Sequence, residues 1–161
     1  MTIWVDADSL PREAKALIGR RASRSSPTLP LQAVFVANRK IPLPPGNNVT
    51  ALIVPPGEDN ADEKMLAGAL PGDMIITRDI PLASRAVAAG IITLNDRGER
   101  WTSDTVRERL SLRDHMTALR EAGLASGLDK ARSYGPKETK ALADALDRAI
   151  SMALRGTGDQ A

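Results

Sequence analysis

Six aspartates in this 161-residue chain occupy positions where carboxylates could converge. Asp6 and Asp8 close a β-branched and aromatic run at residues 2–5. Asp59 and Asp62 flank the start of a helix after a third strand. Asp79 follows a short strand at 73–77, and Asp96 follows another at 91–94. In an open parallel sheet the carboxyl ends of the strands share one edge, where ligands bind, so side chains at these junctions aim at a common rim. Two carboxylates about 4 Å apart repel by roughly 4 kcal/mol at an effective dielectric near 20. A cluster of them stays ionised only around positive charge, and oxygen-only ligands select hard cations such as Mg²⁺ or Mn²⁺. The alternative is local: an aspartate before a helix caps it and complements its dipole, which would account for Asp8, Asp59 and Asp79, and for Asp62 in a first turn. Asp6 differs because it sits in the last step of a strand, where a bare carboxylate is costly to bury.

Composition narrows the remaining chemistry. There is no cysteine, which excludes thiolate nucleophiles, disulfides and cysteine-based metal sites. The single histidine, His115, excludes a two-histidine metal motif. The aromatic fraction of 2% leaves few platforms for stacking bases, and the net charge of +2 is mild. Arg39 and Lys40, Arg78 beside Asp79, and Arg97 beside Asp96 could ring an acidic centre with cations that attract phosphates. Arg20, Arg21 and Arg24 read as solvated surface, as do Arg107, Arg109, Arg113 and Arg120 on a charged helix. His115, Trp4 and Trp101 read as surface or packing residues.

The elements that must position these groups alternate. Strands are expected at 2–5, 31–37, 49–54, 73–77 and 91–94, and helices at 9–24, 61–70, 79–89, 103–120 and 136–154. Pro11 falls in the first turn of the first helix, and Asn60 with Glu63 forms a capping box. Continuous apolar strands between helices indicate a parallel sheet covered on both faces. The expected architecture is an α/β three-layer sandwich with a mainly parallel central sheet and added C-terminal helices. It forms one domain over 1–154, with a flexible tail at 155–161. No apolar run is long enough to span a membrane, and the first residues lack the pattern of a signal peptide. A cytoplasmic protein is expected.

The ordered blocks Ile3-Trp4-Val5-Asp6-Ala7-Asp8 with Pro11, Val36-Ala37-Asn38, and Gly57-x-Asp59-x-Ala61-Asp62 resemble the YaiI/YqxD family of bacterial proteins. So do Ile76-Thr77-x-Asp79-Ile80-Pro81-Leu82-Ala83, Asn95-x-Arg97-Gly98-Glu99, Arg113-Asp114 before Met116, and Ala145-Leu146-Asp147-Arg148. The likeness runs over nearly the whole chain and implies a PIN-like domain. The chain departs from the family pattern at Leu10, where cysteine is common, and at Asp96, where proline is common. His115 and Leu142 stand where phenylalanine is frequent.

PIN-like nucleases gather acidic side chains at the carboxyl edge of the sheet, bind Mg²⁺ or Mn²⁺ and hydrolyse phosphodiesters. The resemblance implies that Asp6, Asp8, Asp62 and Asp79 form such a centre, with Asp6 and Asp79 catalytic. Asn38, Arg39, Arg78 and Arg97 are the candidate nucleic-acid contacts, with RNA favoured over DNA. Two other readings stand beside it. One is a non-catalytic nucleic-acid-binding module that keeps the acidic site for structure. The other is a phosphatase similar to the haloacid dehalogenases, with Asp6 as nucleophile and Asp8 as acid/base, although Leu10 and the spacing of the later acids depart from that pattern.

Overall fold

The computed structural model describes residues 1–57, 60–124 and 133–158. Its centre is a five-stranded sheet of β1 (Thr2–Asp6), β2 (Gln32–Ala37), β3 (Val49–Ile53), β4 (Met74–Ile76) and β5 (Ile92–Leu94). Every pairing is parallel, in the order β3-β2-β1-β4-β5. The chain winds outward from β1 to β3, then crosses back to lay β4 on the other side of β1. The strand order therefore reverses between β1 and β4, and a crevice opens at their carboxyl ends.

Helices α1 (Arg12–Ala22) and α5 (Pro136–Gly158) cover one face, and α2 (Asn60–Gly68) and α3 (Ile80–Ala88) the other. Alternation along each strand sorts the side chains. Ile3, Val5, Phe35, Met74 and Ile76 pack against Leu17 and Ile18 of α1 and Leu142 and Leu146 of α5. Trp4, Val34, Val36 and Ile75 pack against Met65 of α2 and Leu82 and Ala86 of α3. Each such large apolar side chain contributes roughly 1.5–3 kcal/mol when fully buried. Asp6 has the parity of Trp4, so it belongs to the α2/α3 side. Helix α4 (Ser103–Glu121) packs on α3 around Trp101 and Val106 and is otherwise largely exposed.

The three-layer α/β architecture is the one expected, and the differences lie at element ends. Helix α1 starts at Arg12 rather than residue 9. The residue before a proline is driven out of the helical region, so Leu10 cannot join, and Pro11 takes the capping position with extended backbone. Helix α2 starts at Asn60 itself, and its side-chain amide donates to the Pro55 carbonyl at 3.0 Å. Glu63 reaches Arg85 on α3 at 2.7 Å, so its carboxylate ties two helices together. A reciprocal capping box does occur, formed by Thr102 and Thr105 at the start of α4. Helix α5 continues four residues beyond Leu154, to Gly158. Of the connector at 121–135, residues 125–132 lie outside the described residues, as does the candidate Asp59. His115 is exposed on α4, whereas Leu142 is fully buried, as a core replacement for a larger ring requires.

Gly98 holds the turn after β5 against α5. Its φ is +78°, and a β-carbon there would collide with the Ala141 carbonyl. Gly90 has a similar φ of +75° with open space around it. Both Gly→Ala variants carry about 1–3 kcal/mol of backbone strain. Urea denaturation is expected to show the larger loss for Gly98→Ala, because a rigid backbone must move as well. Equal losses would show that the turn does not bear on α5.

Candidate acidic site at the carboxyl edge of the sheet

The register Val5↔Ile76 places Thr77 opposite Asp6 across the β1/β4 crevice. The Thr77 hydroxyl donates to Asp6 Oδ2 at 2.6 Å and accepts the Asp79 backbone N–H at 2.9 Å. Asp79 in turn caps α3, its Oδ1 accepting the Leu82 N–H at 2.9 Å. One buried hydroxyl thus links the strand-end carboxylate to the helix-capping one. Trp101 steadies the same residue by donating from Nε1 to the Thr77 carbonyl at 3.1 Å. Ser9 accepts the Arg78 N–H at 3.2 Å, joining the β1 turn to the β4 turn.

Asp8 lies in the turn after β1 and does not cap α1. Its Oδ2 accepts the Asn38 N–H at the end of β2, at 2.9 Å. Asp62 sits half-buried in the first turn of α2. Asp6, Asp8, Asp62 and Asp79, with Ser9 and Asn38, line an open pocket of about 310 Å³ floored by Val54, Gly57 and Ala61. All four aspartates expected at the acidic centre border it.

The cations divide. Arg39 is 79% exposed, with its Nε 4.0 Å from Asp8. Arg78 Nε lies 3.6 Å from Asp96, and Arg97 is paired with Glu138 of α5 at 3.2 Å. None of the three lines the pocket, and Arg97 serves the packing of α5 instead. Asp96 is buried one strand further out. Strands are spaced about 4.8 Å apart, so β5 lies roughly 10 Å from β1 and Asp96 stays outside the pocket. Burial raises its carboxyl above the usual range, opposed by the charges of Arg78 and Arg97. Thr77 is the site residue that junction counting overlooks. The available signal was a threonine ending a buried strand two residues before a capping aspartate.

A family model described as "Uncharacterized BCR, YaiI/YqxD family" matches residues 4–152. The chain belongs to this family. It is 43% identical to a UPF0178 protein of Syntrophobacter fumaroxidans over 99% of this chain and 100% of that one. It is likewise 43% identical to a UPF0178 protein of Bordetella avium over 94% of both chains. A UPF0178 protein of Pectobacterium atrosepticum is 44% identical over 79% of this chain and 82% of its own. No solved structure matches the chain. No helix among the described residues is long and apolar enough to cross a membrane.

The donor set of this YaiI/YqxD protein can be tested against the ions expected for it. Among the described residues no three or more His, Cys, Asp or Glu side chains form a group able to hold a metal ion. A closed, protein-only cage is therefore not what these side chains build. Mg²⁺ does not require one: it keeps several waters and is commonly held by one or two carboxylates plus substrate phosphates. The open pocket, with only oxygen donors among its charged groups, suits that mode. Asp6 is buried where it meets this pocket. Burial raises its carboxyl above the usual range, the Thr77 and Ser9 hydroxyls oppose the rise, and the Asp79 charge adds to it.

A raised carboxyl has a definite sign for stability. The folded state holds the Asp6 proton more tightly than the unfolded chain, so the group's contribution is fully present below the unfolded value of 3.8. That contribution is lost as pH rises through the folded value. Asp6→Asn keeps an acceptor for Thr77 and removes the buried charge. It is expected to raise the metal-free melting temperature at pH 7, by about 2–4 °C per kcal/mol relieved, and to narrow the gap between variant and wild type toward pH 4. A thermal melt showing no gain at pH 7 would contradict an uncompensated charge at this position.

Proposed function

We propose that this protein is a PIN-like, Mg²⁺- or Mn²⁺-dependent nuclease that hydrolyses phosphodiester bonds in the cytoplasm, with RNA favoured over DNA. The observation that carries the reading is the meeting of Asp6, Asp8, Asp62 and Asp79 around one pocket where the strand order reverses. Asp6 and Asp79 would hold the ion, with Asp8 and Asp62 ligating it or orienting its waters. A bound divalent ion supplies activation of a water nucleophile and charge neutralisation on the phosphate. The protein's own part is to keep Asp6 and Asp79 in register through Thr77. Asn38, within the pocket, and Arg39 and Arg78, at its margin, are the groups that would meet the flanking phosphates.

Two observations favour the non-catalytic nucleic-acid-binding reading as the second choice. Asp79 is already used as a helix cap and Asp8 as a backbone acceptor, so both have structural reasons to be acidic. A cleavage screen separates the two. Single-stranded and structured RNA and DNA are incubated with Mg²⁺, with Mn²⁺ and with EDTA, and products are resolved on denaturing gels. Metal-dependent products, stronger with RNA, are expected. Retention of RNA with no product at any ion concentration would replace the nuclease by the binding module.

A further inference from the structure

A second hollow, of about 540 Å³, lies between α1 and the proline-rich loop that leaves Asn38. One wall is the helix, presenting Arg12, Lys15 and Arg20. The other is apolar and formed by Pro42, Leu43 and Pro44, continued by Pro45. At 3.6 residues per turn the three basic positions fall within about 140° of arc, and Arg12 and Arg20 are separated by about 12 Å along the axis. The Lys15 ammonium donates to the Ala7 carbonyl at 3.2 Å, so this wall begins beside the Asp6–Asp8 turn of the acidic pocket. Arg12 and Arg20 form no ion pair among the described residues, while Arg21 on the same helix is bound to Asp147 at 2.9 Å. The acid nearest in sequence, Glu13, does not line this hollow; it borders an adjoining one that shares Ala16 and Arg20 with it.

The trough is built in advance. A β-carbon at Gly19 would overlap the ring of Pro44, so only glycine lets the loop seat on the helix. The Ser23 hydroxyl reaches the Pro45 carbonyl at 3.4 Å. Prolines fix their own φ, so the apolar wall loses little entropy when a ligand binds.

We propose that this trough is an extended binding track for single-stranded nucleic acid, leading into the acidic pocket. Arg12, Lys15 and Arg20 meet successive phosphates, and the proline and Leu43 surfaces meet sugar and base faces. A hollow of about 540 Å³ is of the size that takes a nucleotide-sized group. The inference rests on the reading above only in taking the ligand to be nucleic acid, and its test does not depend on cleavage.

The test is fluorescence anisotropy of a fluorescein-labelled oligouridylate in EDTA, over a range of salt, with the full-length protein. Arg12→Ala/Arg20→Ala is expected to weaken binding at least tenfold at low salt. It should also flatten the plot of log affinity against log salt by about 1.4, at roughly 0.7 per lost phosphate contact on a single strand. Arg12→Lys/Arg20→Lys should recover the slope, and Arg107→Ala/Arg113→Ala on α4 should leave it unchanged. Unaltered affinity in the Arg12/Arg20 alanine variant overturns the track, as does an equal loss in the α4 control. Displacement of the oligonucleotide by polyglutamate at equal charge overturns it too, in favour of an acidic protein ligand. Mn²⁺-dependent hydrolysis of bis(p-nitrophenyl) phosphate by the wild type reports the pocket alone. Hydrolysis with unaltered oligonucleotide binding in the alanine variant retains the nuclease and removes the track; no hydrolysis with weakened binding does the reverse.

Discussion

Asp79→Asn is expected to lower Mn²⁺ affinity at least a thousandfold, since a divalent ion and one carboxylate about 4 Å apart at an effective dielectric near 20 attract by roughly 8 kcal/mol, and about half of that already amounts to a thousandfold. Metal-dependent cleavage should fall below detection in the same variant. The substitution is informative because it separates the charge from the cap. Asparagine is as good an N-cap as aspartate, so its side-chain oxygen keeps the bond from the Leu82 N–H, and α3 starts where it did. The melting temperature of the metal-free protein should therefore change little. Calorimetric titration of Mn²⁺ into both proteins reads the first expectation, and a thermal melt reads the second. Saturable binding of equal strength in the variant would leave Asp79 as a helix cap and nothing more, and the nuclease reading would lose its principal ligand.

Thr77→Val removes one oxygen and keeps the shape, yet it breaks the bond that joins the two proposed ligands. The hydroxyl is fully buried and serves Asp6 and Asp79 together. Its loss strips the buried Asp6 carboxyl of a close donor and leaves the Asp79 N–H without its acceptor. A hydrogen bond to a charged group contributes about 1.5–3 kcal/mol, and an abandoned donor costs up to about 1–3 kcal/mol when buried, less at the part-buried Asp79 N–H. A destabilisation of roughly 2–4 kcal/mol is expected from urea unfolding at pH 7. Thr77→Ser keeps the hydroxyl and should recover most of it, with only a lost methyl to its account. If valine and serine prove equally costly, the methyl packing of Thr77 matters and the hydroxyl does not.

Much of the acidic pocket was legible before any coordinates. The rule that parallel strands end on one edge offered Asp6, Asp8, Asp59, Asp62, Asp79 and Asp96 alike, and the family resemblance implied the four, Asp6, Asp8, Asp62 and Asp79, that border the pocket. The cations were less legible. Arg97 stands next to Asp96 in sequence, but its partner is Glu138, 41 residues away, and only the docking of α5 reveals that. Thr77 carried a sequence signal, a threonine ending a buried strand two residues before Asp79, but its partner Asp6 depends on which strand lies beside β1. Leu10 and Pro11 show the opposite case, a helix start settled by the local sterics of proline after the pattern alone had placed it three residues too early.

The chain by itself determined the order of strands and helices, the parallel character of the sheet, and a residue set without thiols or paired histidines. These depend on local periodicity and on residue types, which neighbours in sequence carry. Tertiary structure decided which carboxylates share a pocket. Asp79 and Asp96 follow strands of the same kind, yet β4 lies beside β1 and β5 one place further out, so Asp79 borders the pocket and Asp96 does not. Strand order is set by how the crossover helices pack across the whole sheet, a long-range choice that no short stretch of sequence contains.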